Sequence, residues 1–168
     1  ASSQERYDEA LEHVRRANEL DPLAHRSDVA STLIRAGRYE EALDVAKRAV
    51  DFEPEYSRAR STLAWAYIKS GNFEEGIANL RLAVSRNLHH TMYIAQLGEA
   101  YALAGRTDEA RTVLRQLEEM ARERYVSPYH LAYVYTGLGE YDRALDLLEQ
   151  ALADRSGSIY GVKGSFLF

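Results

Sequence analysis

Four glycines stand 34 residues apart, Gly37, Gly71, Gly105 and Gly139, and no other feature constrains the chain as much. Two residues past each comes Tyr39, Phe73, Thr107 or Tyr141, and three further on Ala42, Gly76, Ala110 or Ala144. Upstream, Val29-Ala30, Leu63-Ala64, Leu97-Gly98 and Leu131-Ala132 recur in step, as do Leu33, Tyr67, Tyr101 and Tyr135. The unit from Ser57 to His90 shows the plan. Leu63, Ala64 and Tyr67 mark the inner face of a first helix, Gly71-Asn72 breaks it, and Phe73, Gly76, Leu80 and Ala83 mark the inner face of a second. Neither helix can bury its apolar stripe alone. Copies of the unit must therefore stack, each contacting its neighbours.

The recurring residues have physical roles. Glycine after the first helix supplies a left-handed backbone conformation that a Cβ resists. The small residue early in the second helix lets the two helices approach closely, and Tyr39, Phe73 and Tyr141 are expected to fill the wedge left by the turn. Thr107 departs from that pattern, which predicts a looser third unit.

A period of 34 with helix–turn–helix patterning is the signature of tetratricopeptide repeats, and from about Glu5 to Ser156 the chain resembles that family. The resemblance implies an all-α, right-handed superhelical solenoid of helix-turn-helix repeats with about nine helices. A partial repeat over residues 1–22 forms a leading helix that ends at Asp21-Pro22 and caps the array. Full repeats are expected over 23–56, 57–90, 91–124 and 125–156, followed by an apolar tail over 157–168. The first junction is tight, since Ala10 to Ala42 spans 32 residues rather than 34. Ser127-Pro128 reads as an N-cap followed by proline in the first turn. The chain enters in mid-unit, and we read it as a piece of a larger protein.

Together with the last repeat, the tail resembles the closing segment of repeat regions in multidomain bacterial regulators. In those proteins similar repeats follow a kinase, cyclase or winged-helix domain. With no repeat after the last helix, Leu145, Leu148 and Leu152 leave apolar surface open. Ile159, Tyr160 and Phe166 are expected to cover it, on their own chain or on a second copy, which makes a homodimer one expectation.

Composition excludes several function classes. There is no cysteine, so neither disulfides nor thiolate metal sites can form. A net charge of −5 argues against a general nucleic-acid binder. No stretch approaches the roughly 18 apolar residues of a membrane span, and no signal peptide opens the chain; the expected location is the cytoplasm. Of the five histidines, only His89-His90 are adjacent, in an inter-repeat turn with no third ligand at helical spacing. Each repeat glycine serves a turn, so no phosphate loop appears, and no Gly-flanked nucleophilic serine does either. We therefore expect no catalytic residue, no cofactor and no metal.

The family resemblance implies that first helices line a concave groove. Opposite the inner face of the Ser57 helix stand Arg58, Ser61, Trp65 and Lys69. The equivalent stripes are Ala24, Ser27, Ser31 and Arg35, then Met92, Ala95, Glu99 and Leu103, then Val126, Tyr129, Tyr133 and Gly137. Our candidate peptide-binding residues are Arg35, Arg58, Ser61, Trp65, Lys69, Met92, Glu99, Tyr129 and Tyr133. A tryptophan and two tyrosines turned away from a core would form a binding hot spot; the alternative is that Trp65 packs against a neighbouring helix. Charge divides the groove, with Arg35, Arg58 and Lys69 early and Met92, Tyr129, Tyr133 and His130 late, which suits a segment with an acidic end and an apolar end. The carboxylate clamp of chaperone-binding family members is absent, since Ser27 and Ser31, or Ser61 and Trp65, occupy its leading positions. The expected function is non-catalytic binding of a protein or peptide segment. The alternative is a structural or regulatory spacer that dimerises or packs on an attached effector domain.

Overall fold

The computed structural model describes residues 3–156, with side chains from residue 6 onward except for 22–25. The side chain of Ala24 and the tail residues Ile159, Tyr160 and Phe166 therefore lie outside what it describes. Among the described residues the chain is all helix: α1 (Ser3–Leu20), α2 (Pro22–Arg35), α3 (Tyr39–Phe52), α4 (Ser57–Lys69), α5 (Phe73–Arg86), α6 (Thr91–Leu103), α7 (Thr107–Glu123), α8 (Pro128–Gly137) and α9 (Tyr141–Ala153). None of them is long and apolar enough to cross a membrane. The chain divides into two units, residues 1–86 with α1–α5 and residues 87–168 with α6–α9.

The turn glycines do what their spacing predicts. Gly37, Gly71, Gly105 and Gly139 have φ of +74°, +84°, +75° and +75°. At each, the glycine N–H donates to the carbonyl three residues back and the next N–H to the carbonyl five back, as in Gly71 to Ile68 at 3.0 Å and Asn72 to Tyr67 at 2.9 Å. This pair of bonds satisfies carbonyls that a helix end would otherwise orphan. Arg155 closes α9 in the same way at φ +49°, with Ser156 N–H donating to the Ala151 carbonyl at 2.9 Å.

A charge pair follows three of the four glycines. Arg38 donates to both oxygens of Glu41, Arg106 donates to Glu109, and in the last repeat the order reverses to Glu140 and Arg143. The Glu41 carboxyl is held below the usual carboxylate range, chiefly by its hydrogen bond from Arg38. A pair three residues apart on an exposed helix start is screened by solvent and contributes little to stability. Its recurrence marks the register of the repeat.

One boundary differs from the sequence reading. Pro22 does not end the leading helix but opens α2, where a first-turn proline loses no hydrogen bond. Only Asp21 then separates α1 from α2, whereas four residues separate α3 from α4, α5 from α6 and α7 from α8.

In the first unit α2 packs against α1, α3 and α4, and α4 against α3 and α5. Ala30, Ala46 and Leu63 are buried at its core, with Leu43, Val45, Val50 and Tyr67 packed around them. The crossings are close. A Cβ on Gly76 would lie 2.5 Å from Ile68 Cγ1 and 3.0 Å from the Ala64 carbonyl oxygen. The α3–α4 loop is pinned by two arginines, since Arg60 Nε and Arg86 Nη1 both donate to the Pro54 carbonyl at 2.8 Å.

In the second unit α6 packs against α7 and α8, and α8 also against α7 and α9. Ala110 and Ala144 are buried at these crossings, and a Cβ on Gly98 would meet Val113 at 2.8 Å and Val134 at 2.9 Å. Arg124 donates to the His89 carbonyl at 3.2 Å and so ties down the turn ahead of α6. Tyr39 and Phe73 are half-buried, but Tyr141 is exposed and fills no wedge. Among the described residues of this unit no helix follows α9 to close over it.

Candidate functional site

The first helices α4, α6 and α8 are enclosed far more completely than a two-faced helix would be. Residues 61–66 of α4 and 94–101 of α6 are buried without interruption. At 3.6 residues per turn such a run points in every direction around the axis. A helix that is apolar all round is a buried helix. The cause lies in the packing, since α4 touches three helices of its own unit and α8 three of its own.

This corrects most of the predicted stripe. Ser61, Trp65, Glu99, Tyr129 and Tyr133 are all buried and cannot form an open hot spot. Trp65 is 0% exposed, and the Lys69 ammonium stands 5.9 Å from its ring centroid. Glu99 is covered because Gly137 has no side chain: a Cβ there would stand 3.1 Å from Glu99 Cα and 3.2 Å from its Cγ, so α8 comes right up to α6. Tyr129 and Tyr133 meet edge to face with centroids 5.2 Å apart and hydroxyl oxygens 3.5 Å apart.

Four predicted residues retain solvent contact. Arg35 is exposed at the end of α2, and Lys69 is half-buried at the end of α4, one repeat further on. Arg58 is exposed, yet its guanidinium is ion-paired with Asp28 of α2, so its charge is already answered within the unit. Met92 is half-buried at the start of α6.

One contact escaped the sequence reading. His130 Nδ1 lies 2.8 Å from Thr91 Oγ1 and joins the starts of α6 and α8. Desolvation pushes the His130 imidazole down to about 4, with the charge of nearby His90 adding to it. His90 itself is exposed and stacks on Tyr93 at 4.1 Å. The available signal was positional, for Thr91 and His130 both fall in the first turn of a first helix. Tyr135 is raised by burial and then by the Glu118 carboxylate that its hydroxyl contacts at 3.2 Å. Among the described residues no group of three or more His, Cys, Asp or Glu stands close enough to hold a metal ion.

Comparison with known proteins bears on this geometry. Models of the tetratricopeptide repeat match residues 1–58, 33–95, 95–116 and 129–156. No curated protein matches significantly in sequence. Among solved structures, a thermophilic TPR protein of Thermus thermophilus is 27% identical, with 96% of this chain and 90% of that one covered at a TM-score of 0.71. The TPR-like repeats of a putative kinesin light chain of Podosopora anserina are 20% identical, covering 92% and 90% at 0.63. YrrB, described as a TPR protein with an unusual peptide-binding site, is 23% identical, covering 90% and 79% at 0.54. At these identities the last two support the fold alone. With the repeat models spanning all but residues 117–128 and 157–168, and with nine helices in the expected order among the described residues, the chain belongs to the tetratricopeptide-repeat family.

Proposed function

We propose that the chain is a non-catalytic scaffold that binds an acidic protein or peptide segment on the first-helix side of its first unit. TPR proteins generally act as protein–protein interaction scaffolds, which supplies the class of function. The observation that carries the finer reading is the placement of Arg35 and Lys69. They occupy the same repeat position at the C-terminal ends of α2 and α4, two helices that pack against each other. Both keep solvent contact in a protein whose net charge is −5. Cations at helix C-termini also favour the helix dipole, so position alone gives a stabilising role as well as a recognition role. A preformed frame lowers the ordering cost of binding. The apolar end once expected of the partner drops out of the proposal, because Tyr129 and Tyr133 are buried. Peptide-display selection on the wild type should enrich acidic segments, and selection on Arg35→Glu/Lys69→Glu should not. Equal enrichment by both proteins would refute the reading.

The spacer alternative keeps one observation in its favour. On α9, Tyr141, Leu145 and Leu152 are 63%, 53% and 65% exposed and lie with half-buried Leu148 along one stripe. An apolar stripe of this kind marks a contact surface. A second copy or an attached domain would cover it, and the resemblance to bacterial regulator repeats belongs to this reading. Light scattering on the wild type and on Leu145→Glu/Leu152→Glu separates the cases: a dimer that the double variant dissociates supports self-association, and a monomer throughout counts against it.

A further inference from the structure

We propose that the cleft between α1 and α3, floored by α2, is a second docking site for a peptide segment that carries a carboxylate beside a large apolar side chain. It lies on the flank of α2 opposite Ser27, Ser31 and Arg35, so it is independent of the first-helix surface proposed above.

The cleft sits at the irregular junction of the array. Both α1 and α3 pack against α2, and the link from α1 to α2 is the single residue Asp21 where later links have four. Between them lies a cavity of about 660 Å³. That falls within the roughly 300–1,000 Å³ typical of ligand clefts.

Its lining has two chemical parts. The apolar part is Val29 of α2 with Val45 and Phe52 of α3, and Phe52 is 54% exposed. The basic part is Arg15, Arg26 and Arg48, one from each helix. The Arg26 guanidinium lies 4.4 Å from the Phe52 ring centroid, which holds the cation at the edge of the apolar part. Glu19 and Asp51 also line the cleft, and Arg15 reaches Glu41 at 3.8 Å. Counted over the lining alone, guanidinium groups outnumber carboxylates by three to two, against the sign of the protein as a whole, while Glu41 outside the lining answers Arg15.

These features select the occupant. An inorganic anion would engage the arginines and leave the apolar part wet. A purely apolar segment would leave the arginines unanswered. A peptide offers a large apolar side chain for Val29, Val45 and Phe52 and a carboxylate for Arg26 and Arg48.

The test uses the full chain and two pools of short fluorescent peptides, one pairing Asp or Glu with Phe or Leu, the other its Asn and Gln counterpart. Fluorescence polarisation should show binding of the acidic pool, with affinity at least about tenfold weaker for the amide pool. Arg26→Glu/Arg48→Glu and Phe52→Ser, each made in the Arg35→Glu/Lys69→Glu background so that binding on the first-helix side does not contribute, should weaken the acidic pool by at least about tenfold. Because the cleft variants could unsettle α3, hydrogen exchange on the wild type supplies a second measurement: saturating peptide should protect the α1–α2 junction and the end of α3. Equal affinity for both pools, no binding, cleft variants that bind as that background does, or protection confined elsewhere would each overturn the proposal.

Discussion

Replacing Trp65 with alanine separates the core from the groove. This is the only tryptophan in the chain, and it is 0% exposed. A buried aromatic removes about 150–250 Å² from water, which at about 25 cal/mol per Å² is roughly 4–6 kcal/mol. Residual compactness of the unfolded chain trims that figure, and truncations of buried Phe or Trp to Ala cost about 3–5 kcal/mol. We expect Trp65→Ala to fall in that range, a large part of the roughly 5–15 kcal/mol that holds a domain together. Arg58→Ala, which removes only the exposed pair with Asp28, should cost at most about 1 kcal/mol. Urea unfolding followed by far-ultraviolet circular dichroism gives both values, since the substitution removes the fluorescent probe. In the wild type, Trp65 emission should be poorly quenched by acrylamide until the chain unfolds. A loss below about 1 kcal/mol, or ready quenching of the native protein, would refute the burial argument and restore Trp65 to the groove.

Three further predictions follow from particular contacts. Ala110 is fully buried and Arg111 is exposed in an ion pair with Glu140, so Ala110→Leu should cost about 1–3 kcal/mol by overpacking and Arg111→Leu at most about 1; equal thermal melts would mean the helix register is wrong. Adding a Cβ at Gly98 should gain about 1 kcal/mol in helix propensity, yet it meets the stiff side chains of Val113 and Val134 inside 3.0 Å, so Gly98→Ala should lower Tm, and a raised Tm would contradict the crossing geometry. Folding holds the His130 imidazole down to about 4 from 6.5, so its contribution is present above pH 6.5 and is lost as pH falls from there toward 4. That contribution is at most about 3 kcal/mol. Stability of His130→Gln should be correspondingly flatter across that window, and parallel curves for variant and wild type would count against the assignment.

The architecture was legible because it rests on local chemistry. A glycine at positive φ, a small residue at a crossing and a period of helical stripes each leave a mark at a fixed offset, and the turns at Gly37, Gly71, Gly105 and Gly139 appear as spaced. The candidate site was much less legible. A helical stripe tells which side of a helix is apolar, not how many neighbours it will meet. Ser61, Glu99 and Tyr133 face away from their own second helix yet are buried, because an array gives a first helix several neighbours. Arg58 was read as a cation for a partner because Asp28, 30 residues earlier, carries no local sign that it pairs with it. Pro22 was read as a stop because proline closes one helix and opens the next with equal ease. The lost spacing between Ala10 and Ala42, by contrast, did flag the junction at which the α1–α3 cleft opens.

The most direct test of the scaffold claim is the affinity of a selected acidic peptide, measured by calorimetry across a range of salt concentrations for the wild type and for Arg35→Glu/Lys69→Glu. Exposed charges are screened by salt. The wild-type affinity should therefore fall as salt rises, and the double reversal should both weaken binding and flatten that dependence while the helical circular-dichroism signature is retained. An affinity indifferent to salt and to both reversals would contradict acidic-segment binding on the first-helix side of the first unit.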